Sequence, residues 1–512
     1  MLGVWIGDST AAAANFEEHY VSILAKLRAW RCRPLSELGK VKVANMFLYS
    51  RLWYRTAIFP PLPDIAGAVG YQEVERQVAA WVFRGRPEVS AARLRDSYGL
   101  GGAQLADVRD KVRAQRVAWL AKLLAMPWDS FPRLLAGELI GCHAAGYRGL
   151  EVLQADLGQL KLRSRTAGST MAPGGFYWEA IKAWSMLTVK AQGGLGKLGH
   201  DHIFHNHMIT DEAGLPLTPK PWMTRKGILR VGTAQSLSGL GLTREQWFEL
   251  VYLRQRIPPV PLSDRPHYIL SGPAGDKDVR LASYKELYLS FRAKVDNPRH
   301  FEEKWEQALG VTVTWMDIWK RVHESNCSFK VRSQVWRQLN LNFWTAYMDY
   351  AYIARGDGTC SLCGQWARRR WHVVTECAIV KELWRKLGVE LEALGGERTV
   401  EVVEMALGRE GGDRGTVLRN RLGFTLRSAV MSLRAVRAGG FGETVDRIWS
   451  HFLHSLKKEL VEEWYTARLE GSVTLFESRV LVAGLLGRLE GGTVIWCGLA
   501  EGVGYRYWDL FD

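Results

Sequence analysis

The chain of 512 residues carries 68 Lys and Arg against 53 Asp and Glu, a formal net charge of +15, and it is 47% hydrophobic with 22 tryptophans. That apolar and aromatic content excludes a mainly disordered protein, and the length predicts about three or four domains or subdomains. The excess of positive charge predicts a polyanionic partner, with nucleic acid the first candidate. No apolar run approaches the roughly 18 residues needed to cross a bilayer, so no membrane partner is expected. Met1 to Gly7 lacks the basic start of a signal peptide, and the seven cysteines do not form a dense framework. The expected setting is intracellular, in the nucleus and cytoplasm.

In chain order, Leu2 to Gly7 reads as a short strand. Asn15 with Glu18 predicts the cap of an amphipathic helix carrying Phe16, Tyr20, Ile23, Leu27 and Trp30. After Pro34 and Ser36, a second helix is predicted over 38–59. Val41, Ala44, Leu48 and Leu52 would face inward, with Lys40, Lys42, Arg51 and Arg55 on other faces. Pro60, Pro61 and Pro63 end it, and a third helix is predicted over 64–83 with Val69, Val74, Val78, Trp81 and Val82 on its apolar side. Residues 84–122 hold nine Lys or Arg against four acids, an excess that suits a surface tracking a nucleic-acid backbone. Residues 86–325 read as a mostly helical connector broken by Gly- and Pro-rich stretches at 166–175 and 212–222. Residues 391–512 are expected to be helical, with Ile448, Phe452, Leu456 and Leu460 forming a packed stripe; 474–495 reads as either helix or strand.

Cys360, Cys363, His372 and Cys377 form a Cys-x2-Cys-x8-His-x4-Cys array. Three of the seven cysteines fall within eighteen positions, where even scattering would place roughly a quarter of one. One structural zinc ion explains the clustering, because Zn2+ in a structural role takes a closed tetrahedron of thiolate and imidazole ligands. Gly364 suits the turn that aims the first sulfur pair inward. The spacing of five from His372 to Cys377 does not fit one α-helical face, which predicts His372 on a loop and Cys377 at the start of a helix over 378–387. Three thiolates on a divalent cation leave about one negative charge, which Arg368, Arg369 and Arg370 can offset. The competing reading is three reduced core cysteines and an ordinary histidine.

Leu2-Gly3-Val4, Ala29-Trp30, the run Arg33 to Val41, Leu52-Trp53-Tyr54 and Pro60-Pro61-Leu62-Pro63 resemble the segment that follows the palm in reverse transcriptases of non-LTR retrotransposons of the long-interspersed-element type. Trp81 to Gly85 continues the resemblance; Gly99-Leu100-Gly101-Gly102 departs from the family's usual glycine turn. The metal array, with Glu376-Cys377 followed by Lys381-Glu382-Leu383-Trp384, and the tryptophan-rich stretches around Trp305, Trp315 and Trp319, are similar to the zinc-binding segment and connector of those polymerases. The resemblance covers about residues 1–390. It implies the end of the palm and a three-helix thumb-like bundle at 1–85, a helical connector at 86–325 and a small zinc module at 326–390; with the helical C-terminal tail read from periodicity at 391–512, the chain is expected to be mainly α. The family polymerises with palm aspartates that hold two metal ions, and this chain has no Asp-Asp dipeptide. The expectation is therefore a nucleic-acid-binding C-terminal portion of a retrotransposon reverse transcriptase that is not an enzyme on its own.

The residues expected to meet RNA or DNA are Lys40, Lys42, Arg51 and Arg55 in the thumb-like bundle and Trp366, Arg368, Arg369, Arg370 and Trp371 beside the metal array. Aromatic faces for stacking next to cations for phosphate suit single-stranded RNA. Trp384 reads as core. The remainder of the polymerase is a further expected partner. The alternative is a host-adopted interaction protein that keeps the zinc only as a structural staple. His200, His202, His205 and His207 cluster, but no cysteine is near and Asp201 is the only close carboxylate, which reads against a metal site. Gly193 to Lys197 and Gly272 to Lys277 lack the full phosphate-loop spacing and read as loops.

Overall fold

A computed structural model describes residues 9–59, 70–83, 89–127, 129–141, 149–154, 173–187, 189–192, 203–204, 209–215, 217–226, 228, 234, 241–257, 267–273, 275–293, 300–341, 358–367, 369, 371–392, 399–433, 440–481, 486–490 and 493–501. The fold is mainly α, with a three-stranded and a two-stranded antiparallel sheet among the described residues. The chain divides into two compact units that are discontinuous in sequence. The first takes Met1–Cys32, Asn45–Val78 and Ala106–Asp296; the second takes Arg33–Ala44, Ala79–Leu105 and Asn297–Asp512. Each draws a share of the segment 1–85.

In the first unit, α1 (Ser9–Trp30) begins six residues before the expected cap at Asn15. The alanines at 11–14 are the strongest helix formers and carry the helix backward. Phe16, Tyr20, Ile23 and Leu27 are buried as their spacing requires. The second expected helix is interrupted by a defect: α2 (Glu37–Val43) belongs to the second unit, and a π-helical stretch (Ala44–Tyr49) leads into α3 (Ser50–Thr56) of the first. Its third companion, α4, is described over Tyr71–Val82. Val74, Val78, Trp81 and Val82 are buried, whereas Val69, Pro60 and the expected strand at 2–7 lie outside the described residues.

The main core of this unit is built on α5 (Val108–Ala125), which packs α6 (Phe131–Gly141), α7 (Pro173–Ser185) and α9 (Tyr284–Arg292). A sheet in the order β1 (Val189–Gln192), β2 (His267–Gly272), β3 (Gly275–Asp278) closes it, with Leu270 opposite Val189 and Gly272 opposite Gly275. The Gly272 to Lys277 stretch is thus a β-hairpin in which both glycines belong to strands. A satellite core gathers Ile203, Phe204, Ile209, Trp222, Met223 and Ile228 against Leu250, Leu253 and Ile257 of α8 (Arg244–Arg256) and the residue beyond it.

Much of the positive charge expected on a surface is spent in the interior. Arg116 is 1% exposed; it donates to the Thr56 carbonyl (2.6 Å) and to Glu179 (3.2 Å), and lies over the Phe176 ring. Arg113 pairs with Asp110. Lys111 sits among the rings of Trp53, Tyr284 and Tyr288, and burial lowers its pKa. In the second unit Arg93 is buried beside Asp96 and Glu302. Arg109 and Lys122 of the 84–122 run remain exposed, and Arg84 and Arg86 lie outside the described residues.

The second unit is all helix apart from a C-terminal hairpin and a short bridge at the metal-ligand array, among the described residues. It contains α10 (His300–Leu309), α11 (Trp315–Glu324), α12 (Phe329–Leu339), α13 (Ala378–Glu392), α14 (Val402–Leu407), α15 (Arg414–Leu433), α16 (Phe441–Leu469) and α17 (Val473–Arg479). Trp305, Trp319 and Trp336 are fully buried, with Trp305 donating to the Leu339 carbonyl and Trp336 to that of Gly101. α12 packs α2 and α15. Ile448, Phe452, Leu456 and Leu460 form the buried stripe expected of α16. The ambiguous stretch at 474–495 resolves into α17 followed by the hairpin β4 (Gly487–Glu490) and β5 (Thr493–Trp496).

His323 of α11 stacks on Tyr98 with ring centroids 4.0 Å apart, and burial, then the Arg332 charge, push its pKa from 6.5 down to about 4. The unfolded chain therefore binds the extra proton first, so this group's contribution is full above about pH 6.5 and is lost as pH falls toward 4. Relative to wild type, His323→Phe should gain about 2 to 3 kcal/mol between those limits. Unfolding midpoints measured across that range test it, and a constant difference would contradict the assignment.

Candidate metal centre

A short hairpin and a π turn bring the four expected ligands together. The Cys360 amide donates to the Gln365 carbonyl at 2.7 Å, the Gly364 amide to the Cys360 carbonyl at 2.8 Å, and Thr359 bridges Trp366 across the loop. Gly364 takes φ +72°, a left-handed conformation that a β-carbon would disfavour, so the tight Cys-x2-Cys turn depends on it. The second pair departs from expectation. His372 lies not on a loop but in a π-helical turn over His372–Glu376, and the Cys377 amide donates to the His372 carbonyl at 2.8 Å. A turn closed from residue i to i+5 turns the spacing of five, awkward for an α-helix, into a match.

Cys377 then stands directly before α13, as expected, and its sulfur accepts the Val380 amide of the first helical turn. Ile379, Leu383 and Leu387 bury the opposite face of α13, and Trp384, also core, packs on Gly423 of α15. A β-carbon at Gly423 would come within 2.8 Å of that indole. The position of Cys377 therefore depends on a helix–helix contact with the C-terminal region, whose role was not legible from the array itself.

One ligand atom from each of Cys360, Cys363, His372 and Cys377 lies within 4.8 Å of the others. Cys363 Sγ and His372 Nε2 are 3.4 Å apart. A tetrahedron with bonds of ~2.3 Å to sulfur and ~2.0 Å to nitrogen has edges of ~3.6 to 3.8 Å, so the cluster can hold one metal ion after small movements. Cys360 and Cys377 are buried, His372 is 5% exposed and Cys363 is half-buried. The hydrogen bond from Cys377, aided by His372 and the amides of Cys363 and Leu362, holds the Cys360 thiol below its usual range against the cost of its burial. Cys377, facing that thiolate and buried, is pushed up. Thiols brought this close in a buried site suit a cation that takes the place of their protons.

Glu376 falls within the resemblance motif, which gives it no role at the metal. Its carboxylate lies 3.6 Å from His372 Nδ1 and 3.9 Å from the Arg369 guanidinium, while Nε2 of the same imidazole faces Cys363. A carboxylate on the far nitrogen favours the tautomer that leaves Nε2 free to bind metal. An acid four residues after a ligand histidine is the signal that could have found it.

The residues expected to meet nucleic acid are placed unevenly. Trp366 is 49% exposed at the hairpin, Arg369 is exposed, and Trp371 is half-buried with its ring 6.2 Å from that of Trp305. Arg368 and Arg370 lie outside the described residues, as do His200, His202, His205 and His207. Lys42, exposed over the Phe329 ring, belongs to the second unit; Arg51, exposed, and Arg55, half-buried, belong to the first. Lys40 corrects the expectation of an outward face. It is 3% exposed, and its ammonium donates to the carbonyls of Trp81 (2.9 Å) and Val82 (3.0 Å) at the C-terminus of α4. Those orphan carbonyls and the negative end of the helix dipole draw the cation inward.

No protein-family model matches the chain. It is similar to the Transposon TX1 uncharacterized 149 kDa protein of Xenopus laevis, with 24% identity over 197 residues. The likeness is to a transposon protein. The match takes in 38% of this chain and 14% of that protein, so it spans a small part of the relative's length. Among the described residues, no helix is long and apolar enough to cross a membrane.

With all four ligands kept, Glu376→Gln should weaken metal affinity by roughly tenfold to a hundredfold in competition with a chelator. Cys363→Ala should abolish stoichiometric binding and lower the thermal midpoint. Unchanged affinity in the first variant would remove the role given to Glu376.

Proposed function

We propose that this chain is a nucleic-acid-binding portion of a retrotransposon-derived protein, stapled by one structural Zn2+ on Cys360, Cys363, His372 and Cys377. The observation that carries this reading is the convergence of those four ligand atoms within 4.8 Å, in a segment that also presents Trp366 and Arg369 to solvent. Three sulfurs and one imidazole select zinc over the hard divalent cations, and four protein ligands leave no open position for chemistry. The metal's contribution when bound is to fix the hairpin against α13. Trp366 then offers a ring to an unpaired base, and Arg369 offers a guanidinium to phosphate. RNA or DNA is the proposed partner, together with the remainder of a retrotransposon polymerase, in nucleus and cytoplasm. With no Asp-Asp pair in the sequence, the chain is proposed not to polymerise DNA alone.

A second reading, a zinc-stapled interaction protein without nucleic-acid affinity, is favoured by one group of observations. Lys40, Arg93 and Arg116 are all buried, which removes them from the basic surface. Salt dependence separates the two. In fluorescence anisotropy with labelled RNA, the zinc-loaded chain should lose affinity linearly on a log–log scale between about 50 and 200 mM salt. Trp366→Ala with Arg369→Gln should weaken binding about tenfold. No binding at low salt would sink the first reading and leave the second.

A further inference from the structure

Helix α8 (Arg244–Arg256) in the first unit carries a face that the metal centre does not account for. Its inner side is conventional: Leu250 and Leu253 enter the satellite core, and a capping box between Thr243 and Gln246 fixes its start. Its outer side is not. Trp247 is 38%, Phe248 60% and Tyr252 40% exposed, where a surface helix ordinarily places polar side chains. Each ring carries its own cation. Arg244 lies 5.8 Å from the Phe248 ring, Arg254 5.7 Å from Trp247 and Arg256 4.8 Å from Tyr252.

The spacing gives this face a direction. Arg244, Phe248, Tyr252 and Arg256 recur every four residues and so line one stripe, about 18 Å long from end to end. Of the helix's two acids, Glu249 is turned aside to Lys220 and to the Trp222 indole, whose nitrogen donates to it at 2.6 Å, while Glu245 stands exposed in the first turn beside Arg244. Arg256 reaches Glu212 at 2.6 Å, but that carboxylate is 79% exposed and water-screened, so a phosphate can take its place.

We propose that this stripe is a second nucleic-acid surface, which takes single-stranded RNA or DNA by stacking unpaired bases on Phe248 and Tyr252, flanked by Trp247, while Arg244 and Arg256 meet the phosphates. Flat rings interleaved with guanidinium groups match a strand that alternates π faces with negative charge. A duplex keeps its base faces stacked on each other and offers none to the rings. A bilayer fits less well, because Glu245, Gln246, Glu249 and Gln255 interrupt the apolar face that insertion requires. The inference goes beyond the metal-centred reading, since it rests on a different helix in the other unit.

The test uses the full zinc-loaded chain with labelled oligo(U), oligo(dT) and a duplex of equal length. Phe248→Ala combined with Tyr252→Ala should weaken both single strands roughly a hundredfold, about tenfold for each ring, and leave duplex binding unchanged. Arg244→Gln with Arg256→Gln should lower the salt slope by about two. The rings are exposed, so an unshifted thermal midpoint should accompany each change. Single-strand affinity that falls in Trp366→Ala with Arg369→Gln but not in the ring variant would overturn this inference and leave the metal-centred one standing. The reverse pattern would support the stripe alone. Absence of any oligonucleotide binding at low salt would overturn both. Flotation with anionic vesicles that depends on Phe248 and Tyr252, without oligonucleotide binding, would assign the stripe to membranes and overturn the proposal.

Discussion

The hydrogen bond from the Cys377 amide to the His372 carbonyl is the constraint on which the candidate centre depends. It closes a π turn, and that turn lets an imidazole and a thiolate five residues apart face one point. Everything else about the centre follows from where the turn is held. Trp384 seats α13 on Gly423, which fixes the thiolate side, and Trp371 lies against Trp305, which fixes the imidazole side. π turns are strained relative to α-helix, and they persist where surrounding packing over-determines them. The C-terminal region supplies that packing. The metal array is therefore one edge of the second unit's core and not a self-contained knuckle.

A basic chain need not have a basic surface everywhere. In the second unit, α15 turns Arg419, Arg421 and Arg427 inward, where Arg421 forks onto Glu463 and Arg419 onto Glu404. Arg427 is held by the Gln338 side chain and the Ala406 carbonyl, and burial pushes its pKa down to about 9. Buried guanidinium groups are costly to desolvate, and these are only partly compensated: Arg421 Nε and Arg427 Nη2 have no hydrogen-bond partner among the described residues. A net charge of +15 thus overstates what a polyanion would meet. Among the cations outside, three lie over aromatic rings, Lys42 over Phe329, Arg256 over Tyr252 and Arg244 over Phe248, while others such as Arg28, Arg51 and Lys122 stand exposed on the surface.

The apolar periodicities were legible from sequence because burial imposes them. Phe16 to Leu27, Val41 to Leu52 and Ile448 to Leu460 are buried as their spacing required, and the four metal ligands meet where their clustering placed them. Three kinds of feature were not legible. The π segments at Ala44–Tyr49 and His372–Glu376 shift the helical phase by one residue, which a period of 3.6 cannot reveal. Lys40 reads as solvent-facing because its partners are backbone carbonyls contributed by α4, and carbonyls leave no mark in a sequence. The long-range pairing of Trp384 with Gly423 is invisible for a related reason: a helical glycine reads as a weakness until the indole that needs its missing β-carbon is known.

The four ligand atoms suit a closed metal centre of three sulfurs and one imidazole nitrogen. X-ray absorption at the zinc edge, on chain purified without added metal, tests it most directly. One equivalent of zinc is expected, with three sulfur neighbours at ~2.3 Å and one nitrogen at ~2.0 Å. A spectrum dominated by oxygen ligands, or a chain that carries no zinc and folds no differently when zinc is supplied, would contradict it.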